Sequence, residues 1–102
     1  MCGIWGIIKS QSRINSNDIQ YSKLAAQKMH HRGPDDDGFW NNENFALAFK
    51  RLSILDISSM GHQPMLSECK KYALVYNGEL YNYKEIKNIL YSKGYRFRST
   101  GD

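Results

Sequence analysis

The second residue of the chain is the first candidate for chemistry. Cys2 follows Met1 directly, and its small side chain is of the kind after which aminopeptidases commonly remove the initiator methionine. An α-amine and a thiol have reference pKa values of roughly 8 and 8.5. With Met1 removed, one residue could supply a nucleophile and its general base, with a water relaying the proton. With Met1 attached, the same nitrogen is an amide and cannot act as a base. Cys2 alone is equally compatible with no role.

The dipeptide Asn77-Gly78 allows two interpretations. It follows the apolar run 72–76 and is the sequence most typical of a two-residue hairpin turn. Alternatively, the Asn77 side-chain amide and the Gly78 N–H could form an oxyanion hole, because glycine permits close approach and unusual backbone dihedral angles.

Two charged residues are candidate ligands for the charged groups of a substrate. Arg51 lies between apolar segments, either as a solvated charge or as a bidentate ligand for a carboxylate. Asp102 is either a frayed terminal residue or one half of an ammonium-binding pair. No metal site is predicted, because the histidines and cysteines lack ligand spacing and the run 35–37 lacks the pattern of a calcium loop.

Composition limits the class of protein. The 102 residues are enough for one domain, with 41% hydrophobic and 24% charged residues. No apolar run is long enough for a membrane span and no signal peptide is predicted, so the expected location is cytoplasmic, with both cysteines reduced. The net charge of +4 raises nucleic acid as a partner, but the basic residues are spread along the chain. Neither a nucleic-acid partner nor a membrane is therefore expected.

The elements that would position these residues alternate between strands and helices. A strand is predicted over 3–9, followed by a helix capped by Asn17 with Gln20 as reciprocal partner. This helix is expected to end near His30 or His31, before Gly33-Pro34. Its predicted buried face consists of Tyr21, Leu24, Ala25 and Met29.

Further strands are predicted over 45–49, 52–57, 72–76 and 96–99, with the triple-aspartate run as a solvated loop. A second helix is expected to begin at Asn82, with Glu85 as its capping partner, and to stop at Gly94. The order β-α-β-β-β-α-β favours an α+β fold built on antiparallel sheets. The last strand has no partner after it, so the chain is expected to be the N-terminal part of a larger domain.

Five motifs in fixed order carry a resemblance to a known family. They are MCGIWGI at 1–7, HRGPD at 31–35, RLSILD at 51–56, HQPM at 62–65 and YNGELYNY at 76–83. Together they resemble the N-terminal glutaminase domain of glutamine-hydrolysing asparagine synthetases, a class II glutamine amidotransferase domain. The resemblance extends along essentially the whole chain.

The resemblance implies a fold and a reaction. The fold is the N-terminal-nucleophile hydrolase sandwich, four α/β/β/α layers with antiparallel sheets, of which residues 1–102 would be the first part. The implied reaction is attack by Cys2 on the side-chain amide of L-glutamine through a glutamyl thioester, supplying ammonia for asparagine synthesis. The implied oxyanion-hole pair is Asn77 and Gly78. The implied substrate-binding residues are Arg51, Leu55, Asn77, Gly78, Glu79 and Asp102.

The resemblance also implies partners and leaves alternatives open. No cofactor is expected for these residues, whereas ATP and magnesium are expected for the synthetase domain, the implied protein partner, which amidates aspartate. A homodimer is left open. Another class II amidotransferase, acting on a sugar or natural-product acceptor, is the alternative enzyme, and an inactive truncated domain is the non-enzymatic alternative.

Overall fold

A three-stranded antiparallel sheet organises the first half of the chain. The structure is a computed structural model that describes all of residues 1–102. Its strands are β1 (Gly3–Ile8), β2 (Asp36–Asn41) and β3 (Phe45–Arg51), in the order β1-β3-β2. The register pairs Gly3 with Lys50 and Asp36 with Arg51. The beginnings of both outer strands therefore lie beside the end of the central strand.

Helix α1 (Ser16–Lys28) packs on β1 and β3. The predicted start at Asn17, with Gln20 as partner, is wrong. Asn15 is the N-cap: its side-chain oxygen accepts a hydrogen bond from the Asp18 N–H at 3.0 Å, and the Asp18 carboxylate accepts from the Asn15 N–H at 2.9 Å. Asp18 also pairs with Lys9 at 2.6 Å, which ties this end of the helix to the end of β1.

The buried face of α1 differs from the predicted one. Tyr21 and Leu24 are 66% and 46% exposed, whereas Ser22 and Ala26 are buried. The Ser22 hydroxyl donates to the Asp18 carbonyl at 2.8 Å, so its burial leaves no unpaired polar group. Small residues on this face let the helix approach the sheet closely. The helix ends at Lys28, and a single 3₁₀ turn over His30–Arg32 follows.

The second half of the chain has little regular structure. It contains a two-stranded antiparallel sheet of β4 (Met65–Leu66) and β5 (Ala73–Leu74), a 3₁₀ turn over Ser59–Gly61, and helix α2 (Tyr83–Ser92). We call residues 1–51 the sheet half and residues 52–102 the loop half. All nine buried residues belong to the sheet half.

Several strand predictions are therefore wrong. The segment 52–57 is a loop, because the Arg51 side chain donates hydrogen bonds to the carbonyls of Asp56 and Ser58 and curls the segment back. The segment 96–99 is not a strand, and the predicted strand 72–76 is reduced to β5. Conversely, β2 forms where the triple-aspartate run was expected to be a solvated loop, since it pairs along the free edge of β3.

The C-terminal end of α2 confirms the prediction for Gly94. This residue has φ of +90°, and the Tyr95 N–H donates to the Leu90 carbonyl at 3.1 Å. Asn82 precedes the helix as predicted but makes no side-chain capping bond. Neither helix combines the length and apolarity that crossing a bilayer requires. The α+β class with antiparallel sheets is confirmed.

Candidate functional site

One pocket of about 760 Å³ lies between the sheet half and the loop half. The sheet half contributes Cys2, just before β1, and Arg51, at the end of β3. The loop half contributes the segment 77–79 and Asp102. All of the site residues predicted from the sequence line this pocket: Cys2, Arg51, Leu55, Asn77, Gly78, Glu79 and Asp102.

The main chain of Cys2 is held from two sides. Its N–H donates a hydrogen bond of 3.1 Å to Oδ1 of Asn77, 75 positions away. Its carbonyl accepts from Nε of Arg32 at 3.3 Å. Arg32 belongs to the 3₁₀ turn after α1, so the HRGPD motif fixes the residue that carries the thiol.

The thiol of Cys2 contacts the main chain of Leu52. The Leu52 N–H donates to Sγ at 3.3 Å, and Sγ lies 3.8 Å from the Leu52 carbonyl oxygen. The carbonyl can accept a hydrogen bond from the thiol, while the N–H can stabilise the negative sulfur of the thiolate. Sequence reasoning missed Leu52, because a main-chain contact has no side-chain signature.

The loop before β2 holds Leu52 in place. The Asp35 N–H donates to the Arg51 carbonyl at 3.0 Å, and its carboxylate accepts from the Ser53 N–H at 2.7 Å. A Cβ on Gly33 would lie 2.5 Å from the Lys50 carbonyl, so only glycine allows this loop to pack against the end of β3. The main-chain groups that contact the thiol are thereby fixed on both sides.

Asn77 and Gly78 do not form the hairpin turn that the dipeptide also suggested, since no paired strand follows them. Because Asn77 accepts through Oδ1, its Nδ2 group stays available as a donor at the pocket wall. A Cβ on Gly78 would lie 2.8 Å from the Tyr76 hydroxyl, so a larger residue would displace the Tyr76 ring. The pair offers two N–H donors beside Cys2.

Arg51 holds a loop as well as lining the pocket. The residue is 8% exposed; its Nη1 donates to the Ser58 carbonyl at 2.7 Å and its Nη2 donates to the Asp56 carbonyl. A guanidinium has five N–H donors, so several stay free for a carboxylate. Sequence reasoning did not predict the loop contact. A Cβ on Gly61 would lie 2.7 Å from Cζ of Arg51, so Gly61 leaves room for the guanidinium.

Asp102 is fixed by the segment that follows Gly78. Its Oδ2 accepts a 2.6 Å hydrogen bond from the Leu80 N–H, and Oδ1 has no partner in the protein. Glu79 and Leu55 are exposed and line the pocket without side-chain hydrogen bonds. The free carboxylate oxygen of Asp102 is suited to a cationic group.

The HQPM motif links the two halves. Nδ1 of His62 lies 2.7 Å from the Asp36 carboxylate on β2. The side chain of Gln63 pairs with the main chain of Tyr76, accepting from its N–H at 2.6 Å and donating to its carbonyl at 3.4 Å. Because Tyr76 immediately precedes Asn77, this pairing helps to set the position of the Asn77 side chain.

The other cysteine lies outside the pocket. Cys69 is exposed, and the Ser67 hydroxyl at 3.3 Å is the main reason that the pKa of its thiol is lowered. The chain has no group of three His, Cys, Asp or Glu side chains that could hold a metal ion. Of the two cysteines, only Cys2 lines the pocket.

Comparison with known proteins matches the whole chain to one domain type. A family model described as a glutamine amidotransferase domain matches residues 1–102. Glutamine-hydrolysing asparagine synthetase 1 of Bacillus subtilis is 38% identical over 100% of this chain, which covers 16% of that protein. Asparagine synthetase 2 of the same bacterium is 39% identical over 100% of the chain and 13% of the relative. Asparagine synthetase B of Escherichia coli is 35% identical, with coverages of 100% and 18%. The chain thus spans less than a fifth of the length of these relatives.

Proposed function

Because this chain belongs to the glutamine amidotransferase domain family, we propose that its pocket hydrolyses L-glutamine to glutamate and ammonia with Cys2 as nucleophile. Its relatives are named as glutamine-hydrolysing synthetases, so the family is one of enzymes. The observation that best supports the proposal is the contact of Cys2 with both Asn77 and Leu52. The Cys2 N–H donates to Oδ1 of Asn77, and the Leu52 N–H donates to the Cys2 sulfur, which supports a thiol near the proposed oxyanion-hole pair.

The proposed reaction begins at the Cys2 sulfur. The α-amine of Cys2, free once Met1 is removed, takes the thiol proton through a water, and Sγ forms a bond to the side-chain amide carbon of glutamine. The carbonyl oxygen becomes an oxyanion, which Nδ2 of Asn77 and the N–H of Gly78 stabilise. The C–N bond then breaks, ammonia leaves with the proton, and a glutamyl thioester is left. Water adds to the thioester, and glutamate departs as the thiol re-forms.

The α-groups of glutamine are assigned to the other wall of the pocket. The remaining N–H donors of Arg51 would bind the α-carboxylate, and the free Oδ1 of Asp102 would bind the α-ammonium. Leu55 and Glu79 would complete the wall around the substrate. Opposite charges at the two ends of this wall would select an α-amino acid over a simple amide.

We also propose that the ammonia serves ATP-dependent amidation of aspartate by a synthetase domain, with magnesium. This step belongs to a length of protein beyond these residues, as in the relatives that this chain resembles over 13–18% of their length. The sheet with α1 on one face is compatible with half of the four-layer sandwich of N-terminal-nucleophile hydrolases. An amidotransferase with a sugar or natural-product acceptor would share the glutaminase pocket and differ only in the acceptor.

Intact-mass spectrometry tests the glutaminase proposal most directly. The chain is treated with a diazo-ketone analogue of glutamine, and its mass is measured before and after. We expect a chain without Met1 and a single adduct on Cys2. Cys69→Ser is the matched control and should keep the adduct, whereas Cys2→Ser should lose it. An adduct that survives in Cys2→Ser would contradict the proposed nucleophile.

Replacement of Asn77 tests the oxyanion hole. Asn77→Ala removes one donor and should lower kcat for glutamine hydrolysis by about a hundredfold or more. Asn42→Ala, at the turn between β2 and β3, is the control and should leave kcat unchanged. A kcat for Asn77→Ala within about twofold of the parent would remove Asn77 from the mechanism.

A further inference from the structure

The carboxylate of Asp56 joins two segments that are far apart in the sequence. Its Oδ1 accepts hydrogen bonds from the Ser58 N–H at 2.8 Å and the Ser58 hydroxyl at 2.5 Å. Its Oδ2 accepts from the Thr100 N–H at 3.0 Å, 44 positions along the chain. Asp56 was part of the RLSILD motif, but no role was predicted for it.

The same residue lies between the two proposed ligands of the glutamine α-groups. The main-chain carbonyl of Asp56 accepts a hydrogen bond from Nη2 of Arg51. The main-chain carbonyl of Ser58, the residue bound by the Asp56 side chain, accepts from Nη1 of Arg51. On the other side, Thr100 lies two positions before Asp102. A Cβ on Gly101 would lie 3.3 Å from Cβ of Asp56, so the terminal segment packs directly against it. Asp56 is thus hydrogen-bonded both to Arg51 and to the segment that carries Asp102.

We propose that Asp56 is a positioning residue that sets the spacing between Arg51 and Asp102, and so matches the pocket to an α-amino acid. The inference rests on the proposed glutaminase function and adds a residue to it. Asp56 itself would not touch the substrate. It would fix the distance between the carboxylate-binding and the ammonium-binding ends of the pocket.

A carboxylate is suited to this position in a way that an amide is not. The Ser58 hydroxyl and the N–H groups of Ser58 and Thr100 are all donors, and an ionised carboxylate accepts through both oxygens. An asparagine would turn its NH₂ group towards either Ser58 or Thr100 and lose that bond. The Ser58 hydroxyl, together with the Ser58 and Thr100 N–H groups, holds the pKa of Asp56 well below its usual range. The carboxylate therefore stays charged throughout the physiological range.

Hydrogen bonds must provide this positioning because packing does not. Neither segment that Asp56 joins contains a buried residue, and its neighbours Leu55 and Ile57 are 56% and 84% exposed. Without the Asp56 hydrogen bonds, little would hold residues 100–102 at a fixed distance from Arg51. The loss should be felt in substrate binding, since Cys2, Asn77 and Gly78 have no hydrogen bond to Asp56.

The test compares two substrates in Asp56→Asn, made in the complete gene product. One substrate is glutamine, and the other is glutaramate, which keeps the amide and one carboxylate but lacks the α-ammonium. For glutamine we expect KM to rise about tenfold or more while kcat changes by less than about twofold. For glutaramate, which cannot use Asp102, the rise in KM should be at most about a third of that for glutamine. Titration of Cys2 with the diazo-ketone analogue at saturating concentration should still reach one adduct per chain.

Two variants complete the design. Asp37→Asn removes an exposed carboxylate that pairs with Lys50 and should leave both KM values unchanged. Ser58→Ala removes only one of the bonds to Asp56 and should raise KM for glutamine less than Asp56→Asn does. This milder variant keeps the test valid if Asp56→Asn fails to fold.

The outcomes separate this inference from the proposed function. An unchanged KM in Asp56→Asn, or equal losses for glutamine and glutaramate, would overturn the positioning role while leaving the glutaminase proposal intact. A fall in kcat with fewer Cys2 adducts per chain would show a structural role only, and would also overturn it. A parent protein that hydrolyses no glutamine would overturn the proposed function and this inference together.

Discussion

The two halves of the molecule hold their parts of the pocket by different means. In the sheet half, β3 is paired on both sides. Ala46 and Ala48 are buried on the face covered by α1, and Phe49 is buried on the opposite face, where it lines the pocket. In the loop half no residue is buried, and helix α2 leaves Ile89 and Tyr91 more than half exposed. Positions in the loop half depend instead on individual hydrogen bonds, such as those of Gln63 and Asp56.

The difference separates the proposed nucleophile from most of the groups proposed to bind and stabilise the substrate. Cys2 precedes a strand of the packed sheet, whereas Asn77, Gly78 and Asp102 lie on loops. Packing is insensitive to single polar contacts, but a loop held by a few hydrogen bonds is not. Apart from the proposed nucleophile Cys2, we therefore expect substitutions in the sheet half to change stability most, and substitutions in the loop half to change substrate binding and turnover.

The largest expected effect is on activity and comes from the sheet half. Cys2→Ala should reduce glutamine hydrolysis to the uncatalysed level while synthesis from free ammonia persists in the complete gene product. Because Cys2 is only half-buried, the free energy of unfolding should change by less than about 1 kcal/mol. Ammonia release and urea unfolding measure the two quantities. Residual hydrolysis by Cys2→Ala would show that the nucleophile lies elsewhere.

A matched pair of phenylalanines tests the difference in packing. Phe49 on β3 is 1% exposed, and Phe97 in the loop half is 42% exposed. Phe49→Ala should lower the free energy of unfolding by about 3–5 kcal/mol. Phe97→Ala removes a partly exposed ring whose centre lies 5.2 Å from Nζ of Lys87, and it should cost about 1 kcal/mol. Equal losses in urea titrations would mean that the loop half has a core of its own.

The two helices provide a smaller test of the same kind. Asn15→Ala removes the capping bond at the start of α1 and should cost about 1 kcal/mol. Asn82→Ala, before α2, removes no capping bond and should change the free energy of unfolding by less than about 0.5 kcal/mol. Thermal unfolding followed by circular dichroism measures both. A larger effect at Asn82 would reverse the comparison.

Acid should weaken the sheet half through Asp18. Lys9 and the Asn15 N–H hold the pKa of this carboxyl below its usual range. A carboxyl with a lowered pKa in the folded state stabilises that state above its unfolded pKa of about 4. The stabilisation is lost as the pH falls below that value. Asp18→Asn should therefore flatten the acid side of the stability profile, as measured by urea unfolding between about pH 6 and pH 3.

The sequence predicted the fold best where local signals and packing agree. The strand beginning at Gly3 and the stop at Gly94 are confirmed, because apolar pattern and positive φ are local properties. The start of α1 was missed because Asn15 and Asn17 are equally good caps. Asn15 is the cap because Asp18, three residues later, hydrogen-bonds back to it and also forms an ion pair with Lys9. The prediction of a strand over 52–57 was wrong because the Arg51 side chain donates hydrogen bonds to the carbonyls of Asp56 and Ser58. The hydrophobic pattern of the sequence does not indicate such a contact.

The order of the motifs along the sequence predicted which side chains form the site, and in the structure all of these side chains line the same pocket. The roles assigned to them stay predictions. What the motifs could not indicate were contacts made through the main chain, such as that of Leu52 with the thiol. The link from Asp56 to Thr100 was also hidden, because it depends on two loops meeting across 44 positions.

The strand order β1-β3-β2 leaves two sheet edges with different character. The outer edge of β2 begins with two aspartates, Asp36 and Asp37, whereas β1 contains no charged residue from Gly3 to Ile8. Unpaired N–H and C=O groups on an uncharged edge recruit strands from other molecules. At high concentration this chain should therefore self-associate along β1, and a lysine at exposed Ile8 would be the simplest aid to solubility.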